Sequence, residues 1–250
     1  MKVVQVVGYH NTGKTTVVKE LVKRLKMGNS KVATIKHIHE KNFELDKQNS
    51  NSYVHKKAGA DLTIISAGSE TDFLYNKPME LLEIACKISA DWLIVEGFNQ
   101  FPLPNIVCGK TEQEVDDFFN KRTLFVSGII SKTKQSYRNL PVLNSMVPDQ
   151  ADQISKLVLK KVFPMLPYVE DKCCNLCGLT CSKMVEAIVQ GDKKYEDCLI
   201  RQTNVHLKIG GREIQIVPFV QQILENNILA LVRELDGWEK GKTIEVKINN

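Results

Sequence analysis

Val3-Val4-Gln5-Val6-Val7-Gly8-Tyr9-His10-Asn11-Thr12-Gly13-Lys14-Thr15-Thr16 decides the fold. Val3 to Val7 is a short, nearly continuous apolar run, the pattern of a strand buried on both faces. Gly8 to Thr15 fits the spacing G-x-x-x-x-G-K-[ST], and apolar residues at helical spacing follow from Thr15 to Leu25. Strand, glycine-rich loop and helix in that order are the setting in which this pattern makes a phosphate-binding loop. Gly8 and Gly13 let the backbone amides of the loop, those of His10, Asn11 and Thr12 among them, curl around phosphate oxygens. The helix N-terminus adds partial positive charge, Lys14 reaches the β and γ phosphates, and Thr15 can ligate magnesium.

Outward from the loop, apolar strands alternate with helices. Strands are expected at Val32 to Lys36, Leu62 to Ser66, Trp92 to Glu96, Thr123 to Ile130 and Pro141 to Asn144. Helices are expected at Ser52 to Ala58, Met79 to Ile88 and Asp149 to Val162. The alternation predicts an α/β fold, a doubly wound and mostly parallel sheet. Pro164 and Pro167 end the pattern, which places a nucleotide-binding domain at 1–165 and a smaller cysteine-rich α+β domain at 166–250. In the second, Gly210-Gly211 separates Val205 to Ile209 from Arg212 to Val217 as a hairpin turn. A helix follows from about Pro218, carrying Phe219, Val220, Ile223 and Leu224 as a face for the hairpin, and Thr243 to Ile248 alternates like a half-exposed strand.

The 250 residues carry a formal charge of +5. The first 165 hold 23 Lys and Arg against 17 Asp and Glu, and the rest 11 against 12. A surplus confined to the nucleotide-binding half suits an anionic ligand, with no basic arm or stacking platform to bind nucleic acid. No apolar run is long enough to span a bilayer, and the N-terminus lacks the features of a signal peptide, so the expected location is the cytoplasm.

A magnesium-bound triphosphate also needs a carboxylate at the carboxyl end of a neighbouring strand, where ligands of such sheets gather. Asp91-Trp92-Leu93-Ile94-Val95-Glu96-Gly97 supplies Glu96 there and places Asp91 at the opposite end. Lys36-His37-Ile38-His39 follows the second strand, so His37 could face phosphate, magnesium or an attacking water, or belong to an ordinary polar loop. No Asn-Lys-x-Asp motif is present, and spacing alone leaves ATP and GTP open.

With these motifs in place the first domain resembles the MobB family, the GTP-binding adapters of molybdopterin-guanine dinucleotide biosynthesis. The resemblance rests on the loop and on Lys36-His37-Ile38-His39, Phe43-Glu44-Leu45-Asp46-Lys47, Asn51-Ser52-Tyr53, Ala58-Gly59-Ala60, Val95-Glu96-Gly97-Phe98 and Pro102-Leu103-Pro104, in the family's order over about the first 110 residues. It implies that Gly13, Lys14, Thr15 and Thr16 hold GTP phosphates and magnesium, with Glu96 nearby and slow GTP hydrolysis. It also implies a molybdopterin guanylyltransferase as partner, molybdopterin or its dinucleotide as the molecule handled, and a homodimer. Two departures stand out: Asn51 replaces the Asp of the family's Asp-Ser pair, and Asn105 a lysine.

Cys174-Asn175-Leu176-Cys177-Gly178-Leu179-Thr180-Cys181 reads C-x2-C-x3-C, and Cys198 follows after sixteen intervening residues. Four thiolates at this spacing could close round a 4Fe-4S cluster or a zinc ion. Met184 to Val189 has helical character, and Gly191 can end that helix. The segment resembles the four-cysteine 4Fe-4S domain of corrinoid iron-sulfur proteins, with one residue fewer between its second and third cysteines; Cys173 is the spare. Cys86 and Cys108 read as core residues. Three functions follow: a GTP-binding accessory protein of molybdenum cofactor synthesis, a nucleotide-gated metallochaperone or iron-sulfur electron-transfer partner, and a P-loop kinase with a structural zinc knob.

Overall fold

The computed structural model describes residues 1–40, 43–99, 101–167, 177–199, 205, 207–210, 212–214, 216, 218–239 and 242–248. The chain divides into two compact units, Met1–Met165 and Leu166–Asn250.

In the first unit β1 (Lys2–Val7) leads through the glycine loop into α1 (Lys14–Met27), as the opening motif predicts. Then come β2 (Val32–Lys36), α2 (Asn51–Lys57), β3 (Leu62–Ser66), β4 (Thr71–Tyr75), α3 (Leu81–Ala85), β5 (Trp92–Glu96) and β6 (Asn105–Cys108). The unit closes with α4 (Glu112–Asp116), β7 (Thr123–Ser127), β8 (Ser136–Tyr137), β9 (Leu140–Pro141) and α5 (Pro148–Lys161). Five strands form one parallel sheet in the order β2-β5-β1-β6-β7. β1 lies at its centre, so its residues are covered on both faces: Val3, Val4, Val6 and Val7 are buried, as is Gln5. α1 lies against β1, β2 and β5, and α5 beside α1 against β7. Arg24 of α1 pairs with Asp152 of α5. Val7, Val107 and Val126, neighbours across the sheet, gather Val115 of α4 into a core cluster.

The departures from the expected pattern have local causes. Leu62 to Ser66 forms a strand but stays out of the main sheet, pairing antiparallel with β4, which the sequence reading missed. It leaves Ile64 and Phe73 exposed as a cross-strand pair, so the apolar run was not the mark of a twice-buried strand. β6 was also missed because it has only four residues, although all of them are buried. β7 ends at Ser127, where Gly128 adopts φ 89° and a 3-10 turn begins. Past the two-residue β9, Val142 makes an isolated parallel bridge to Val126. Cys108 is core as expected, whereas Cys86 is exposed.

In the second unit α6 (Cys181–Gln190) is capped by Thr180, whose hydroxyl accepts from the Lys183 amide, and ends at Gly191 in the left-handed region. Met184, Val185 and Val189 form its buried stripe. β10 (Leu207–Ile209) and β11 (Arg212–Ile214) form the expected hairpin, followed by α7 (Pro218–Val232). Two expectations fail. Thr243 to Ile248 forms no strand, and Phe219, Val220 and Ile223 are exposed rather than packed beneath the hairpin. No helix among the described residues is long and apolar enough to cross a membrane.

Candidate nucleotide site

The carboxyl ends of β1, β5, β6 and β7 bring the loop's neighbours to one edge, where backbone meets backbone with little space for side chains. Gly8 has φ 141°, and a Cβ there would lie 2.0 Å from the Cys108 carbonyl oxygen at the end of β6. Gly128, at the end of β7, donates no side chain to the space: its Cβ would lie 2.3 Å from the Thr12 carbonyl oxygen. That same oxygen accepts from the Ile129 amide at 3.2 Å. Asn11, exposed beside His10, takes φ 57°, and Gly13 caps α1 in the left-handed region. Thr12 is fully buried and its hydroxyl donates to Tyr9 O at 2.9 Å, closing the loop on itself. The result is a rigid cradle at the N-terminus of a fourteen-residue helix whose first turn carries no acidic residue, a setting that favours anions.

Around the cradle stand the groups the sequence singled out. Lys14 Nζ donates to Tyr9 O at 2.5 Å. Thr15, in the first turn of α1, donates to Glu96, its hydroxyl lying 3.1 and 3.2 Å from the two carboxylate oxygens. Glu96 itself is buried at the end of β5. A hydroxyl and a carboxylate are the hard oxygen donors that a magnesium ion takes alongside phosphate, so this pair fits the ion. Thr16 is half-buried in the same turn of the helix.

His37 reaches the same edge. Its amide donates to Glu96 O at 2.8 Å, and its ring lies 4.3 Å from Phe98 and 4.6 Å from His39. Burial, helped by the nearby His39, lowers its pKa and favours the neutral ring. Gly97 is required here, because its Cβ would lie 2.9 Å from that of His37. Cys108 also borders the loop, but burial pushes its thiol up to about 12, with Lys14 opposing and Glu96 adding to the rise. It is a neutral core thiol.

Of the two departures from the family pattern, Asn105 lies at the amino end of its strand, away from this edge. Asn105 begins β6 and is buried, its amide donating to Asn120 and its carbonyl accepting from Thr123, so the absent lysine removes no cation from the phosphate end. Asn51 is exposed in the first turn of α2, while Ser50 and Ser52 both donate to Asp46, at 2.7 and 2.9 Å. Those bonds, that of Ser50 foremost, hold the Asp46 carboxyl below its usual range against the opposing effect of burial.

Several contributors escaped the sequence reading. Tyr9 ties the loop to α4 through an O–H bond to Asp117 at 3.1 Å and edge-on contact with Phe118. Gln5 and Phe98 shape the turn after Glu96. Gly128 gave a signal, a glycine directly after a strand, whereas the Tyr9 contacts join residues more than a hundred positions apart.

Of the four expected cysteine ligands, the described residues include Cys177, Cys181 and Cys198. Cys177 Sγ donates to Leu179 O at 3.5 Å, Cys181 opens α6, and Cys198 is buried after a 3-10 turn. Among the described residues no three His, Cys, Asp or Glu side chains form a metal-holding group. Cys173 and Cys174 lie outside the described residues.

Comparison with known proteins gives a consistent result. Residues 3–132 match the family described as molybdopterin guanine dinucleotide synthesis protein B. A Methanocaldococcus jannaschii protein, provisionally named a molybdopterin-guanine dinucleotide biosynthesis adapter, is 29% identical over 100% of this chain and 98% of its own, so the similarity runs through the second unit. The Haemophilus influenzae molybdopterin-guanine dinucleotide biosynthesis adapter protein is 30% identical over 45% of this chain and 68% of its own. The crystal structure of Bacillus subtilis MobB superposes with a TM-score of 0.53 at 21% identity, covering 63% of this chain and 98% of that one, and shares the fold.

Two predictions follow from the geometry. Gly128→Ala should destabilise the protein by about 1–3 kcal/mol more than Gly59→Ala, measured by urea unfolding, since both glycines have positive φ but only Gly128 faces a backbone oxygen within 4 Å. His37 should titrate below 6.5 by NMR. Its contribution to stability is complete above the unfolded value near 6.5 and declines as pH falls through the lowered folded value, because the unfolded chain then binds more protons.

Proposed function

Because the chain belongs to the molybdopterin guanine dinucleotide synthesis protein B family, we propose that it is a GTP-binding accessory protein of molybdenum cofactor synthesis, acting in the cytoplasm beside a guanylyltransferase. The observation that carries this reading is the pairing of Thr15 with Glu96. Two residues 81 positions apart, each named from its own motif, meet within 3.1 Å at the mouth of an anion cradle.

In this reading Gly8, His10, Asn11, Thr12, Gly13, Lys14, Thr15 and Thr16 hold the nucleotide, the loop by its amides and Lys14 by its charge. Thr15 and Glu96 are the residues that would hold a magnesium ion, which would supply charge neutralisation for the phosphates. Neutral His37, packed on Phe98 at the same edge, can accept a proton from water. A His37 ring of lowered proton affinity and a carboxylate already engaged with a hydroxyl suit slow hydrolysis and nucleotide-dependent docking on a partner that performs the guanylyl transfer. Molybdopterin or its dinucleotide is the molecule passed between them, and the chain works as a homodimer.

Lys14→Ala should weaken GTP binding at least tenfold by calorimetry, about 1.4 kcal/mol or more, with little change in Tm. Equal affinity for the variant and the wild type would move the nucleotide elsewhere. Capture of the guanylyltransferase in neither nucleotide state would remove the accessory role.

The second unit extends the proposal. Cys174, Cys177, Cys181 and Cys198 have the residue types and spacing for a 4Fe-4S cluster, with zinc as the alternative, and a redox-active cluster would make the protein a nucleotide-gated electron-transfer partner or metallochaperone. Support for it comes from the cysteine spacing. Protein purified without oxygen should contain iron and acid-labile sulfide at about four each per chain. Stoichiometric zinc would make the unit a structural knob, and absence of all three would remove metal from the proposal.

A further inference from the structure

Gln5 interrupts the valines of the central strand, and it is 1% exposed. A primary amide buried so completely is costly unless its hydrogens are taken up. Its Nε2 donates to Gly97 O at 2.7 Å and to Phe98 O at 2.6 Å. Both neighbours are carbonyl oxygens, which settles the orientation of the amide.

These two carbonyls belong to the turn immediately after Glu96, and that turn is conformationally demanding. Gly97 has φ 95° and Phe98 φ 55°. Left-handed backbone is unfavourable for a bulky aromatic residue and persists only where its surroundings impose it. The backbone bond from Gly97 N to Val6 O, 3.1 Å, holds the start of the turn. Beyond it the Gln5 amide grips two successive carbonyls.

The register shows from which side it grips. Glu96 lies opposite Val6, one position on from Gln5, so on the pleat the Gln5 and Glu96 side chains leave the sheet on opposite faces. Gln5 therefore touches neither the cradle nor the carboxylate. We propose that Gln5 is a positioning residue: it pins the Glu96-Gly97-Phe98 turn from the far face of the sheet and thereby holds Glu96 against Thr15 in the geometry that takes up magnesium with the nucleotide. This rests on the nucleotide-binding reading above and adds to it the residue that sets the metal side of the site. It also accounts for a glutamine in a strand that otherwise selects valine.

The test measures GTP affinity by calorimetry with magnesium and with EDTA in the full-length protein. Gln5→Met keeps the length and approximate shape of the side chain and removes both donors. It should leave affinity in EDTA within twofold of wild type, since the cradle is untouched, and reduce the gain from magnesium at least tenfold, as Glu96→Gln should. Adding Phe98→Gly should restore most of that gain, because glycine adopts φ 55° without a clamp; a general packing defect would not be rescued this way. Should Gln5→Met fail to fold, Gln5→Asn, too short to reach both carbonyls, carries the same comparison. An undiminished magnesium gain in the Gln5 variant overturns the proposal, and so does an equal loss of affinity in EDTA and magnesium. Wild-type protein that binds GTP with no gain from magnesium overturns both this inference and the metal role of Thr15 and Glu96, whereas Lys14→Ala tests the cradle independently.

Discussion

The close approach of three backbone segments at the carboxyl edge of the sheet governs the rest of the site. Gly8 lies against the carbonyl of Cys108, and Gly128 against the carbonyl of Thr12. A phosphate cradle needs amide hydrogens turned inward, and a loop of that shape is stiff only if its outer side is supported. Here β6 and β7 supply the support, and they come close enough because one residue of each contacting pair is a glycine with no Cβ. The Ile129 amide bound to Thr12 O completes the support.

Electrostatics at that edge is correspondingly simple. The α1 N-terminus and Lys14 are the attraction for an anion, and Glu96, aimed at Thr15, is the buried carboxylate that a divalent ion would answer. Burial lowers the affinity of His37 for a proton and raises that of Cys108, so both favour their neutral forms.

The second unit is built on different terms. α6 is well specified, with a hydroxyl cap, a buried stripe and a left-handed glycine at its end. α7 is less so, since Phe219, Val220, Ile223 and Leu231 are all exposed. Its composition is apolar on most sides, and an apolar sequence states that a helix wants burial without stating against what. For the same reason the cysteine spacing is an incomplete instruction. It sets which thiols can meet, and the folded backbone sets whether they do.

The sequence by itself determined the central motif and its consequences. Glycine spacing and apolar period placed β1, the loop and α1, and they did so because phosphate binding and helix initiation are local properties of some dozen residues. Glu96 was legible for a related reason, since a carboxylate at the end of an apolar strand has only one edge to occupy. Only the tertiary structure decided what depended on distant segments. Whether Leu62 to Ser66 joins the main sheet, whether Asn105 faces phosphate or core, and which carbonyls the Gln5 amide finds are set by strand order and register. Hydrogen bonds and close backbone contacts between residues about a hundred positions apart leave no period in the sequence, because their geometry exists only once the sheet has formed.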